Sequence, residues 1–278
     1  MEMIILLSVL IHLVLTSIFQ LCLFVGMILV VGFVLGYLQD LSRSYWSAAF
    51  GRTGFLLTAW IGTPIHELGH AIMCIVFGHR IVRIQWFPTR TENGQLGYVS
   101  HTYNPKSSYQ KIGNFFIGVA PVFSGIAALV VLMYYFVPQS YQLFMKDVAA
   151  IKIAGPANEI GVHFFSSMLA LWKSLFSGSN FSHPSFLLFL FLAICISTHI
   201  ALSHSDINGA LNGVVTIFIL LLILNIATSF LHISLSGLTQ MLGTFQVYFL
   251  VFASVALIFS CMSVLISFLF YTIKTIMP

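Results

Sequence analysis

Charged residues are scarce in this sequence. They make up 6% of its 278 residues, whereas a soluble globular domain carries about 25%. So few charges cannot cover a water-facing surface, which excludes a soluble protein. The net charge of +4 is small and scattered, so we exclude nucleic acid as a partner. The chain is instead 59% hydrophobic, which predicts that its surroundings are a lipid bilayer.

Cysteine is also rare. The four cysteines stand in apolar runs and form no CxxC pair: Cys22, Cys74, Cys195 and Cys261. We interpret them as small apolar core residues rather than disulfide partners or metal ligands. Basic residues are lacking before the first apolar run, and that run is longer than the apolar segment of a secretion signal. We therefore predict a retained N-terminal anchor helix.

Apolar runs predict about six transmembrane helices, because a helix needs about 20 apolar residues to cross a bilayer. The first run is too long for one upright helix, and we interpret it as one long tilted helix rather than two. A partly polar stretch at 146–176 favours an interfacial amphipathic helix over a further span. The predicted spans are 4–38, 55–77, 113–137, 186–203, 209–231 and 245–273.

Strand-like sequence separates the second and third predicted spans. Residues 81–86 and 96–102 have the composition of strands, and Asn93-Gly94 between them is a hairpin turn signal. We therefore expect an all-α polytopic membrane protein that carries one small, membrane-associated β-hairpin.

Acidic residues number only seven, and two of them belong to apolar runs. Glu67 lies in the middle of the second predicted span, and Asp206 lies at the start of the fifth. An ionisable group at such a position costs at least a few kcal/mol and marks a functional site by default. His66 and His70 flank Glu67, so this cluster needs a metal ion or polar partners.

The five residues from His66 to His70 form an HExxH motif. Helix positions i and i+4 share one face, so both imidazoles can reach one ion at about 2.0–2.1 Å. Glu67 is not a ligand in this arrangement and would act as general base toward a water molecule beside the metal. The motif predicts one Zn²⁺ per chain, and a buried polar network without metal is the alternative.

A catalytic zinc site uses three protein ligands and leaves a position for water. If the third and fourth spans cross and return, residues 203–208 lie on the hairpin side, which favours Asp206 as the third ligand. The alternative role for Asp206 is a helix N-cap, and we interpret His199 and His204 as hydrogen-bonded neighbours. The candidates for the third ligand are His79, His101, His163, His199, His204 and Asp206.

The segment Thr63-Pro64-Ile65-His66-Glu67-Leu68-Gly69-His70-Ala71, followed by Phe77-Gly78-His79-Arg80, resembles the site-2 protease family of intramembrane zinc metalloproteases. That family places HExxH in one membrane helix and an aspartate ligand, within an Asp-Gly motif, at the start of a later one. Asp206-Ile207-Asn208-Gly209 stands in that place. No proline precedes Asp206 here and two residues separate Asp from Gly, so the chain is similar to a divergent member.

The resemblance implies an intramembrane metalloprotease in which Glu67 is catalytic and His66, His70 and Asp206 bind zinc. Its substrate would be a membrane-embedded or membrane-proximal polypeptide. An extended substrate segment could pair with an edge of the hairpin, whose alternative role is an interfacial anchor. The alternative function is a non-proteolytic zinc-binding membrane protein with an assembly or chaperone role.

The expected organisation is a single membrane domain over 1–278. It consists of an N-terminal anchor helix at 1–52, a metalloprotease-like core at 53–232 and a C-terminal helix at 233–278.

Overall fold

The computed structural model describes residues 2–87, 96–151, 160–231 and 233–276. Helices dominate it, because a helix satisfies its own backbone polar groups without water. The helices are α1 Glu2–Leu21, α2 Met27–Val76, α3 Ser108–Phe136, α4 Pro138–Ile151, α5 Ile160–Leu175, α6 Gly178–Phe181, α7 Pro184–Ser197, α8 His204–Phe230 and α9 Ser236–Ile276, and the strands are β1 Arg80–Gln85 and β2 Tyr98–Thr102.

Four helical segments within the described ranges are long and apolar enough to cross a membrane. The first runs through α1 and the start of α2, which are joined by a π-helical turn at Cys22–Gly26. The prediction of one long first helix is therefore confirmed. The four segments are Met3–Gly51, Ser108–Phe136, His204–Phe230 and Ser236–Ile276.

The prediction of six spans is not confirmed. The predicted span 55–77 is helical, as the C-terminal half of α2, but it does not belong to the four apolar segments. Its polar residues His66, Glu67 and His70 lower its hydropathy. The predicted span 186–203 corresponds to α7, which has 14 residues, fewer than the roughly 20 that a span requires.

Gly51 divides α2 into two helices. Its backbone dihedral angles are φ 66° and ψ −158°, in a region that glycine enters far more readily than other residues. The part of α2 before Gly51 continues the long N-terminal helix, and the part after it carries HExxH. The kink falls close to the predicted boundary between anchor and core at residue 52, although the division into three parts stays a prediction.

The predicted β-hairpin is present. Strands β1 and β2 are antiparallel, with Ile84 opposite Val99 and an irregular register between Ile81 and Arg83. The predicted Asn93-Gly94 turn lies outside the described residues. The hairpin follows α2 directly and precedes α3, so it lies close to the helix that carries the motif.

Helices α4 and α5 cover the described part of the stretch 146–176. Helix α5 has 16 residues, shorter than a span, and it packs against α9. This length agrees with the interfacial helix that we expected, and its place relative to a bilayer stays a prediction.

Helix α3 packs against both α2 and α8, and glycines permit the close approach. A Cβ at Gly213 of α8 would overlap the backbone of Phe115.

The four cysteines differ in burial. Cys74 and Cys195 are buried, whereas Cys22 and Cys261 are exposed. Our interpretation as core residues is therefore wrong for the latter two, which lie on the apolar outside of the bundle.

A polar tether joins three of the long helices. The Asn225 side chain of α8 donates hydrogen bonds to Ser17 Oγ at 3.0 Å and to Gln20 Oε1 at 2.8 Å, both on α1. The Gln20 amide in turn donates to Thr239 Oγ1 of α9 at 3.3 Å. Because Asn225 is buried, these bonds fix the three helices against one another away from water.

Replacing Asn225 by Leu should lower the free energy of unfolding by roughly 1–2 kcal/mol, because interhelical hydrogen bonds in membrane proteins contribute about 0.6 and at most about 1.7 kcal/mol each. Thermal or denaturant unfolding in detergent measures the change. Asn212→Leu is the matched control, since Asn212 is exposed on the same helix. Equal stability of the two variants would show that the tether contributes nothing.

Candidate metal centre

The two histidines of HExxH lie on one face of α2, as the spacing predicts. His66 Nε2 and His70 Nε2 are 3.2 Å apart. His70 is buried and His66 is half-buried, so the two rings converge inside the bundle. Two nitrogen lone pairs at this distance repel each other. A proton or a bound cation between the two Nε2 atoms would remove the repulsion.

Asp206 joins these histidines from the first turn of α8. Its Oδ2 is 3.5 Å from His66 Nε2, and its Oδ1 is 3.2 Å from His70 Nε2. The three residues come from regions more than 130 positions apart in the sequence, and the topology brings them together as we expected. The side chains of His66, His70 and Asp206 form a group whose ligand atoms all lie within 4.8 Å of one another.

Asp206 also holds the start of α8, although it is not the N-cap that we considered. Ser203 is the N-cap, and its side chain accepts a hydrogen bond from the Asp206 backbone N–H at 3.2 Å. The Ser203 backbone N–H donates to Asp206 Oδ2 at 2.8 Å. This reciprocal pair is a capping box, and it fixes the direction in which the carboxylate points.

Both imidazoles are oriented by backbone carbonyls. His66 Nδ1 is 2.7 Å from the carbonyl oxygen of His199, and His70 Nδ1 is 2.8 Å from that of Ile117. A carbonyl oxygen only accepts hydrogen bonds, so each Nδ1 carries the proton and donates. In a neutral ring this leaves the lone pair on Nε2, the atom that faces Asp206. The arrangement is the one that metal-binding histidines commonly have.

Glycines allow the three elements to meet. A Cβ at Gly118 of α3 would overlap the Asp206 backbone carbonyl oxygen, and one at Gly69 of α2 would lie 2.5 Å from Ser124 Oγ. These contacts are too close for any side chain. Gly69 and Gly118 therefore bring α2 and the start of α8 against α3, which sets the spacing of the histidines and the aspartate.

Glu67 lies beside this group and is not part of it. Its side chain is 5% exposed and lines the same cavity as the histidines and Asp206. A Cβ at Gly97, next to strand β2, would lie 2.9 Å from Glu67 Oε1. The backbone at Gly97 thus lies against the carboxylate, and Glu67 also borders the cavity.

The cavity has a volume of about 510 Å³. Residues of α2, α3, strand β2 and the loop before α8 line it, among them Tyr98 and His101. Two residues of the lining, Thr63 and Asn114, each have a buried side-chain atom without a hydrogen-bond partner among the described residues, Oγ1 and Nδ2 respectively. The sequence assigned neither residue a role, because an isolated Thr or Asn in an apolar helix gives no specific signal.

The other candidates for the third ligand whose side chains are described do not join the group. His199 contributes its backbone carbonyl, in agreement with its interpretation as a hydrogen-bonded neighbour. His204 lines the cavity but is exposed. His79 bonds the Gln110 carbonyl at 2.8 Å and His101 Nδ1 at 3.0 Å. The side chain of His163 lies outside the part of the chain that is described.

His101 stays uncharged at neutral pH. Its burial, with smaller contributions from the nearby His79 and His70, lowers its pKa to about 4. The His79 ring donates through Nε2 to the Gln110 carbonyl, so its Nδ1 accepts a hydrogen bond from His101 Nδ1. His101 therefore lines the cavity as a neutral ring in a fixed tautomer.

The ligand atoms fit a zinc ion. Tetrahedral Zn²⁺ with N and O ligands at about 2.0–2.1 Å places neighbouring ligand atoms roughly 3.3 Å apart. The two Nε2 atoms are 3.2 Å apart. Each imidazole approaches a different oxygen of Asp206, with His66 Nε2 at 3.5 Å from Oδ2 and His70 Nε2 at 3.2 Å from Oδ1. One ligand atom from each residue can be chosen so that all three lie within 4.8 Å of one another, so the group could hold a metal ion. Two imidazole lone pairs and one carboxylate are also the ligand types that zinc prefers.

The chain matches no family model, no curated protein and no solved structure. The chemistry of the site is therefore argued from its residues and geometry.

Gly118→Ala should displace Asp206 from the histidines, because the added methyl group would overlap the Asp206 carbonyl. We expect the affinity for Zn²⁺, measured by competition with a chelator, to fall by about tenfold or more. Gly209→Ala is the control. Gly209 lies three residues after Asp206 in α8, and a Cβ at Gly209 meets no described atom within 4 Å. Unchanged affinity in Gly118→Ala would show that this close contact does not position the carboxylate.

Proposed function

We propose that this chain is an integral, multi-pass membrane protein that acts as an intramembrane zinc metalloprotease. The observation that carries the proposal is the convergence of His66, His70 and Asp206 beside the buried carboxylate of Glu67. The two Nε2 atoms are 3.2 Å apart, and each lies 3.2–3.5 Å from an oxygen of Asp206. The four long apolar helices and the resemblance of the motif region to site-2 proteases support it.

In this proposal His66, His70 and Asp206 hold one zinc ion. Such an ion, when bound, supplies a Lewis acid and a water nucleophile at neutral pH. The chain prepares the ligands in advance: the carbonyls of His199 and Ile117 keep both imidazoles in the binding tautomer, and the capping box directs the carboxylate. Little reorganisation is then needed when the ion enters.

Glu67 acts as the general base and acid. Its carboxylate takes a proton from the attacking water and later delivers it to the amine that leaves the cleaved peptide bond. The hairpin backbone at Gly97 lies against this carboxylate, and the low exposure of Glu67 places the proton transfer in a largely buried position. Glu67 needs no metal contact for this role, which agrees with its position outside the group of three ligands.

The substrate is a membrane-embedded or membrane-proximal polypeptide in an extended conformation. A helix hides its carbonyls in its own hydrogen bonds, so the substrate must unwind locally to react. Strand β2 lines the cavity, and its edge can pair with an extended segment.

Glu67→Gln should abolish cleavage and leave zinc bound, because the amide cannot accept the proton but fills the same space. Zinc content is measured by elemental analysis of the purified protein. Cleavage is measured on a membrane-helix substrate in detergent or liposomes. Full activity in this variant would remove Glu67 from the mechanism. Inactivity of the wild-type protein with zinc bound would favour the non-proteolytic alternative.

Asp206→Ala should lower zinc occupancy strongly, since two imidazoles alone make an incomplete site. The same substitution breaks the capping box, which is worth about 1 kcal/mol. Ser203→Ala is therefore the matched control: it disrupts the cap and keeps all three proposed ligands. Equal zinc content in the two variants would mean that Asp206 serves only the helix.

A further inference from the structure

The two carbonyls that orient the imidazoles stand at different places relative to their helices. In an α-helix the carbonyl of residue i accepts from the N–H of residue i+4. His199 follows α7, which ends at Ser197, so its carbonyl lies beyond the helix. Ile117, in contrast, lies in the interior of α3, where a carbonyl normally accepts such a bond.

The helical partner of the Ile117 carbonyl would be residue 121, and residue 121 is proline. Proline has no N–H, and its ring pushes against the carbonyl four positions earlier. The His70 ring takes the bond that the helix cannot make, with Nδ1 at 2.8 Å from the Ile117 oxygen. Ile117 and Pro121 are both buried, so this acceptor has little access to water.

We infer that Pro121 is a positioning residue for His70: it releases the Ile117 carbonyl to hold the imidazole with its Nε2 lone pair toward Asp206. The inference rests on the proposed function, since it assigns Pro121 a role in binding the metal. Pro121 does not touch the metal or the substrate in this scheme. It acts through the Ile117 carbonyl and the His70 ring.

The local packing agrees with this role. Ser124 Oγ is within hydrogen-bonding distance of two carbonyl oxygens, at 2.9 Å from Ile65 on α2 and 3.2 Å from Pro121. The α3 turn that contains Pro121 is thus tied to the α2 turn just before His66. Proline is the least favourable residue in a helix interior. The release of the Ile117 carbonyl for His70 gives a reason for a proline one turn after Ile117.

The test is Pro121→Ala. The alanine N–H restores the helical bond to the Ile117 carbonyl, which then competes with His70. We expect the affinity for Zn²⁺, measured by chelator competition in detergent, to fall by about 10- to 100-fold, as is usual when a hydrogen bond to a ligating histidine is lost. At saturating Co²⁺ the visible spectrum, which reports coordination geometry, should differ from that of the wild type. The melting temperature of the metal-free protein should not fall, because alanine favours the helix.

Pro64→Ala is the matched control, since Pro64 is the proline inside α2. The carbonyl that Pro64 releases belongs to Trp60, whereas the imidazoles bond Ile117 and His199. An equal loss of affinity in both variants would overturn the inference, because helix geometry in general would then be responsible. Wild-type affinity and an unchanged Co²⁺ spectrum in Pro121→Ala would also overturn it, whatever the melting temperature.

The same experiment separates this inference from the proposed function. A wild-type protein that binds neither Zn²⁺ nor Co²⁺ would overturn the proposed metal centre, and the role of Pro121 would fall with it. A wild-type protein that binds both ions, with Pro121→Ala binding them equally well, would overturn the role of Pro121 alone.

Discussion

The convergence of two imidazoles and one carboxylate inside an apolar helix bundle is the interaction on which the rest of the structure depends. Polar groups so placed are unfavourable unless they are paired. His66, His70 and Asp206 meet at 3.2–3.5 Å, and each has a second hydrogen bond that fixes its direction. Gly69 and Gly118 lie where α2 and α8 contact α3. The absence of a side chain at these two positions lets the helices approach closely enough for the three polar side chains to meet.

Much of the centre could be predicted from the sequence. The HExxH spacing places two imidazoles on one helix face by geometry alone, and the scarcity of acids makes Asp206 conspicuous. The count of spans predicted that Asp206 lies close to His66 and His70. The structure confirms that the three residues are close, even though α7 is too short for an ordinary span. The helix of Asp206 begins at His204 rather than at residue 209, so Asp206 is the third residue of α8 and completes the capping box that Ser203 begins.

Other parts could not be predicted in this way. The count of six spans assumed that apolar runs and spanning helices coincide, but a helix that carries a polar site loses the hydropathy by which spans are found. The carbonyls of Ile117 and His199 left no residue signature, since every residue has a carbonyl and only tertiary structure decides which one is free. Pro121 is a visible signal that the Ile117 carbonyl in α3 lacks its helical hydrogen bond. The group that bonds this carbonyl is His70 on α2, which is 47 residues away from Ile117 in the sequence.

Interruptions of helices supply the two carbonyls that orient the imidazoles and the position of Asp206. A regular helix uses its backbone groups internally, which is what allows it to stand in lipid, and for the same reason it offers no backbone ligand to a site. Here the His199 carbonyl stands beyond the end of α7, Pro121 releases the carbonyl of Ile117, and the start of α8 presents Asp206 through its cap. A polar centre in an apolar bundle therefore forms where several helices are broken or begin near the same point, and the breaks are as much a part of the site as the side chains that would hold the metal.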